Sequence, residues 1–150
     1  MIYGADTTFL VQLSVSDLPE HRAALRLRDK LLDEAHTLAL APQVLAEFVH
    51  IVTDRRRFHR PLTIREALRQ SAFWWNLAEA QHVYPDEESV LLFLSWMEEY
   101  RLGRKRLLDT FLAAIFRSRG IGTVITSDAE AFRLFNCFEI LDPADMEHRS

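Results

Sequence analysis

Ile2-Tyr3-Gly4-Ala5 is a short apolar run that stops at Asp6, and Thr123-Val124-Ile125-Thr126 is a second that stops two residues before Asp128. Short runs without polar alternation suit strands buried on both faces. Working outward, Thr37-Leu38-Ala39-Leu40 and Phe138-Glu139-Ile140-Leu141 read as further strands, and His82-Val83-Tyr84 as a short one ended by Pro85. Helices are expected between them. The first starts from Thr7 and Thr8, whose hydroxyls offer an N-cap. The second covers 19–35, with Pro19 in its first turn and Leu25, Leu31 and Leu32 inward. Pro42 opens a third, to about Arg56, and Pro61 and Thr63 a fourth through Phe73, Trp74 and Trp75. A fifth covers 86–101, with Val90, Leu94 and Met97 on one face and Gly103 as its break. A sixth covers 105–119, closed by Gly120, and a short seventh 129–135. This alternation predicts an α/β fold with a short parallel sheet covered by helices on both faces. In such sheets ligands collect outside the carboxyl ends of the strands.

The bulk numbers are consistent with one domain over 1–150, with 143–150 as a polar tail. The 150 residues are 49% hydrophobic and 27% charged, with a net charge of -4. That sign argues against a protein held to nucleic acid by global charge, but a cluster of catalytic acids would itself add negative charge. No apolar stretch approaches the roughly 20 residues that span a bilayer, and MIYGADTTFLVQL lacks the basic start of a signal peptide. Cys137 is the only cysteine, which removes an intrachain disulfide framework and reads as a small buried hydrophobe beside Phe138. The expectation is a cytoplasmic protein without a membrane segment.

Four acids carry the chemistry. Asp6 and Asp128 each follow a strand and should share one edge of a parallel sheet; taken singly, either is explained as a turn or helix cap. Glu47 is harder to explain, because Val44 and Ile51 place it on an apolar helix face. A charge there is costly unless paired, protonated or on a metal, or unless it reaches water from the stripe's edge. Asp109 repeats the pattern with Leu112, Ala113 and Phe116 on its face, early in a helix where the dipole favours an anion. Four acids at one place repel one another, and a divalent cation resolves this. All-oxygen ligands select Mg²⁺ or Mn²⁺. Such a site suits phosphodiester hydrolysis, in which a metal lowers the pKa of bound water and neutralises charge on phosphate.

The stretches Tyr3-Gly4-Ala5-Asp6-Thr7-Thr8, Leu45-Ala46-Glu47-Phe48, Leu108-Asp109-Thr110-Phe111-Leu112-Ala113-Ala114 and Thr126-Ser127-Asp128-Ala129-Glu130-Ala131-Phe132, in that order and spacing, resemble the motifs of a PIN domain. Within that family the chain is similar to VapC-type toxins of prokaryotic toxin–antitoxin pairs. The resemblance covers nearly the whole chain. It implies a Mg²⁺-dependent endoribonuclease in which Mn²⁺ can substitute, acting on RNA, homodimeric and inhibited by a cognate antitoxin protein. It makes Asp6, Glu47, Asp109 and Asp128 catalytic, with Asp6, Asp109 and Asp128 on the metal. Thr7, Thr126 and Ser127 become hydroxyls that steer the acids or hold water. Many relatives carry a further acid two residues before the aromatic of the last motif. Here that position is Glu130, whose helical geometry turns it away.

Two basic runs flank these motifs. Arg55, Arg56 and Arg57 follow the Glu47 helix, with Phe58 available to stack on a base; the plain alternative is a solvated helix end. Arg104 and Lys105 precede Asp109 and are either RNA contacts or an exposed loop. Trp74, Trp75 and Trp96 are read as core, or else as a surface for a second copy or a partner. A phosphoacceptor signalling domain also clusters acids on an α/β sheet. It requires a lysine at the end of a late strand, where neither Lys30 nor Lys105 falls. A PIN-like fold that binds RNA or a partner without cutting is the remaining alternative.

Overall fold

The central strand, β1 (Ile2–Ala5), pairs in parallel with β2 (Thr37–Leu40) on one side and β4 (Thr123–Ile125) on the other. In register, Gly4 lies opposite Ala39 and Val124. β3 (Ala80–His82) extends the sheet beyond β2, and β5 (Glu139–Leu141) beyond β4, giving the order β3-β2-β1-β4-β5. All four pairings are parallel. The structure is a computed structural model that describes residues 1–148. Its helices are α1 (Thr7–Ser14), α2 (His21–Asp33), α3 (Pro42–Val52), α4 (Ile64–Trp75), α5 (Glu87–Glu99), α6 (Leu107–Ser118) and α7 (Glu130–Arg133), with 3-10 segments at Arg104–Arg106 and Pro143–His148. The helices contact one another in two groups, α1 to α4 and α5 to α7. Right-handed crossovers explain this, because the chain reverses direction across the sheet after β3 and must cross on the opposite face. The parallel α/β expectation is met. No helix among the described residues is long and apolar enough to cross a membrane.

The core forms where α6 meets β1. Leu112, Ala113, Ala114, Ile115 and Phe116 are all buried, as expected of a helix enclosed on every side. α5 lies along α6, and Trp96 of α5 stacks on Phe135 with ring centroids 4.1 Å apart. Gly4 sits under the Phe116 ring: a Cβ at Gly4 would lie 2.6 Å from it. Here glycine supplies space rather than a turn, and the contact clamps α6 onto the middle strand.

Several expected details differ. α1 is capped by the Asp6 side chain, which accepts from the Phe9 N–H, and not by Thr7 or Thr8. α2 begins at His21, two residues after Pro19, and buries Ala23, Ala24, Leu27 and Leu31, while Leu25 and Leu32 are only half-buried. α3 ends at Val52, so Arg55 to Arg57 occupy a turn and not a helix end. β3 lies two residues earlier than His82-Val83-Tyr84. α5 turns Ser89 and Trp96 inward and leaves Val90, Leu91 and Leu94 exposed, with Met97 half-buried. Trp96 supplies more buried area than the smaller residues and so sets the helix's rotation. The polar tail forms the last 3-10 segment and rests on α2, with Met146 against the core. Its final two residues, 149 and 150, lie outside the described residues.

Gly4→Ala should therefore destabilise the protein by about 1–3 kcal/mol, the usual cost of forcing a methyl into a filled core. Urea denaturation measures this directly. An unchanged midpoint would mean that the Phe116 ring yields freely and does not clamp α6.

Candidate active site

The sheet reverses between β1 and β4, and the four acids gather at the carboxyl edge of that switch point. Asp6 directly follows β1 and Asp128 lies three residues past β4. α3 starts two residues after β2, so its second turn, which carries Glu47, stays at the same edge. α6 leads into β4 and runs back along the sheet, which puts its first turn, and with it Asp109, at that edge too.

Asp6 is only 4% exposed and tightly held. Its Oδ1 accepts from the Thr8 hydroxyl at 2.7 Å and the Phe9 N–H at 3.0 Å. Burial still pushes its pKa up to about 7, despite hydrogen bonds from Thr126, Phe9 and Thr8 that favour the charged form; the Asp109 charge raises it further. Asp109 is raised to about 6, first by burial, then by the charges of Glu47 and Asp128, with Arg106 acting in opposition. Glu47 is raised by burial and eased by the Thr7 hydroxyl, Arg57 and His50. Asp109 is thus the hub, since each of the other three acids is close enough to couple to it.

The expected hydroxyls divide. Thr7 serves Glu47. Thr126 is fully buried, bonds Asp6 and accepts from the Asp128 N–H at 2.9 Å, tying two acids together. Ser127 is turned aside: it accepts from Gln12 Nε2 at 2.8 Å and donates to Asp142 at 3.2 Å, so it braces the loop through an acid outside the cluster. Asp128 is exposed at the rim.

The sequence reading put Asp6, Asp109 and Asp128 on the metal and left the number of ions open. No three His, Cys, Asp or Glu residues among those described are arranged to hold a metal together. One Asp6 oxygen is committed to the cap and Asp128 lies out at the rim. The donor set nevertheless suits Mg²⁺, which keeps several waters and takes only one or two carboxylates directly. The raised pKa values are what a cation would relieve.

Of the basic residues, Arg57 opposes Glu47 while also facing Asp54 at 3.7 Å. Arg55, Arg56, Arg104 and Lys105 are exposed. Arg106, not singled out from sequence, is the cation that acts on Asp109; its i,i+3 spacing from Asp109 was the available signal. Thr8 and Gln12 were also missed as partners of the site. Glu130 is exposed, as expected from its helical geometry.

The PIN domain family profile matches residues 4–135, a span that contains all four acids. The chain is 28% identical over 109 residues to Ribonuclease VapC43 of Mycobacterium tuberculosis, covering 73% of this chain and 74% of the relative. Among solved structures it superposes on Mycobacterium tuberculosis VapC20, a Sarcin-Ricin loop cleaving toxin, with a TM-score of 0.63 and 18% identity over 83% of this chain and 87% of that one. It also superposes on VapBC2 of Rickettsia felis, bound to a DNA fragment from its promoter, with a TM-score of 0.67 and 15% identity over 95% and 98% of the two chains.

The raised pKa of Asp6 sets a pH dependence. An acid whose folded pKa lies above its unfolded value binds protons more tightly in the folded state, so stability falls as pH rises from about 4 to about 7. The loss is at most about 1.4 kcal/mol per pH unit for one proton. Asp6→Asn keeps an oxygen for the cap and removes the charge. In metal-free buffer the variant should be at least as stable as the parent at pH 8 and should show a flatter stability profile between pH 4 and 7. Thermal melts across that range provide the check, and parallel profiles would mean that Asp6 is not held charged at a cost.

Proposed function

The chain belongs to the PIN-domain family, and on that premise we propose that it is a Mg²⁺- or Mn²⁺-dependent endoribonuclease, the toxin of a toxin–antitoxin pair. The observation that carries the reading is the convergence of Asp6, Glu47 and Asp128 on Asp109 at the sheet's switch point. The names of its ribonuclease relatives support the substrate class.

A divalent ion bound by these acids would supply a nucleophilic water at neutral pH and neutralise charge building on the phosphate. Asp6 and Asp109 would hold it, and the charges of Asp128 and Glu47 beside Asp109 would add to its attraction. The protein's own contribution is preorganisation. Thr8, Thr126 and the Phe9 N–H fix Asp6, so little reorientation is needed when substrate arrives. Thr7 orients Glu47, whose raised pKa suits it to accept a proton from an attacking water. Arg57 and Arg106 place positive charge on two sides of the acids, where a phosphodiester must approach a negative site. For partners we propose a cognate antitoxin and a second copy of the chain. Structural neighbours such as VapBC-1 of nontypeable Haemophilus influenzae support the first. Exposed Val90, Leu91 and Leu94 on α5, and Leu107 and Leu108 at the start of α6, provide apolar surface of the kind partners cover.

The purified protein should cleave RNA with Mg²⁺ or Mn²⁺ and stop in excess chelator. Asp109→Asn, nearly equal in volume, should lower turnover at least a hundredfold while leaving the fold intact by circular dichroism. Cleavage that persists in chelator would remove the metal-dependent reading. A folded chain that binds RNA and cuts none under any metal would favour the non-cutting member of the fold. For the basic turn, Arg57→Gln should reduce the slope of log affinity against log salt by about one, as loss of one phosphate contact does. Arg55→Gln should change it less, and equal effects would assign the whole turn to nonspecific attraction.

A further inference from the structure

A cleft of about 230 Å³ opens between α1, the start of α2 and the turn after α3, lined in part by Thr8, Gln12, Glu20, Arg57 and Phe58. Two of its residues reach the acid cluster directly: Thr8 donates to Asp6 at 2.7 Å, and Arg57 acts on Glu47. A third, Gln12, bonds Ser127, the neighbour of Asp128. The cleft therefore lies within about one nucleotide of where a scissile phosphate would sit. It is smaller than the roughly 300 Å³ at which pockets for drug-sized ligands begin, and is suited to one planar group.

Its chemistry is asymmetric. Gln12 is 6% exposed, and its Oε1 is buried with no donor. Its Nε2 spends one of its two hydrogens on Ser127, which fixes the side chain as part of the cleft's lining. Glu20, half-buried, is acceptor-only when charged. It has no ion-pair partner among the described residues, and although it occupies the cap position of α2 its side chain makes no capping bond. Phe58, half-buried against the core, contributes an aromatic wall. Arg57, with its side chain 59% exposed, supplies the only positive charge of the five, on the side toward the acids.

The two carboxylate oxygens of Glu20 and an aromatic wall suit a flat ligand with adjacent N–H donors. Resting on the ribonuclease reading above, we propose that this cleft is a base-specificity site that takes an unpaired guanine beside the scissile phosphate. Guanine is the base whose Watson–Crick edge presents N1–H and N2–H₂ side by side. Adenine and cytosine each pair one amino donor with a ring acceptor, and uracil places its single N–H between two carbonyls. Glu20 accepts from N1 and N2, Phe58 stacks on the base and Arg57 holds the adjoining phosphate.

The test measures binding and cutting separately. In chelator, the metal-free full-length protein is titrated with end-labelled hexauridine and with the same hexamer bearing one central G, A or C. The G hexamer should bind at least fivefold tighter than the other three. Glu20→Gln turns one acceptor into a donor without touching a cap; it should bring the G hexamer to within twofold of the others. Phe58→Ala should weaken the G hexamer at least fivefold, and Phe58→Tyr should restore it. In parallel, a degenerate RNA pool is cut with Mg²⁺ and its ends are sequenced. Guanine should dominate one position next to the cut, and that share should fall in Glu20→Gln. Equal affinity for all four hexamers, or an unchanged guanine preference in Glu20→Gln, overturns the assignment even if RNA is cut. Selective guanine binding without cutting would uphold the cleft and reject the nuclease reading.

Discussion

A carboxylate at position 6 is held almost entirely out of water at the carboxyl end of the middle strand, and the neighbouring structure is arranged around that constraint. Asp6 is buried because β1 is flanked on both sides and covered by α1 and α6. Its charged form is favoured by the Phe9 N–H at the α1 N-terminus and by the Thr8 and Thr126 hydroxyls. The same oxygen that caps α1 thus fixes the acid's aim. A cap and a catalytic ligand are usually set against each other as explanations for an aspartate after a strand. Here the two are compatible, since the bonds that make Asp6 a cap also fix the direction of its carboxyl group.

The remaining acids arrive by topology. A parallel sheet whose chain reverses beside its middle strand brings the ends of β1 and β4, the start of α3 and the start of α6 to one edge. Gly4 under Phe116 sets how closely α6 approaches. Burial at that edge raises Asp6, Glu47 and Asp109, and at Asp109 the charges of Glu47 and Asp128 add to it. The cluster is therefore costly to keep charged without a counter-ion, and a cation bound there would stabilise the fold.

Much of this was legible in the sequence, for physical reasons. β1, β2 and β4 were readable because strands buried on both faces are short unbroken apolar runs. Glu47 and Asp109 stood out because each sits on an apolar helix face, and Asp6 and Asp128 because each follows a strand at the same edge of a parallel sheet. What sequence reading missed depended on contacts between distant segments. The rotation of α5 follows from Trp96 meeting Phe135, which no period within the helix reveals. Ser127 looked equivalent to Thr126, yet Gln12, 115 positions away, draws it aside. β3 is an edge strand of three residues with two of them exposed, too weak a pattern to locate within two positions. Linear order likewise gave no sign that Asp128 stands exposed at the rim while Asp6 is buried, because it carries proximity but not depth.

The central claim is that one divalent-cation site lies at the β1–β4 switch point, with Asp6 and Asp109 as its direct ligands. Anomalous diffraction from a crystal grown with Mn²⁺ tests it most directly. A single strong peak about 2.1 Å from oxygens of both Asp6 and Asp109 is the result expected for a hard octahedral ion. Well-ordered density for both side chains with no anomalous peak between them, or with Mn²⁺ bound only elsewhere on the surface, would contradict it.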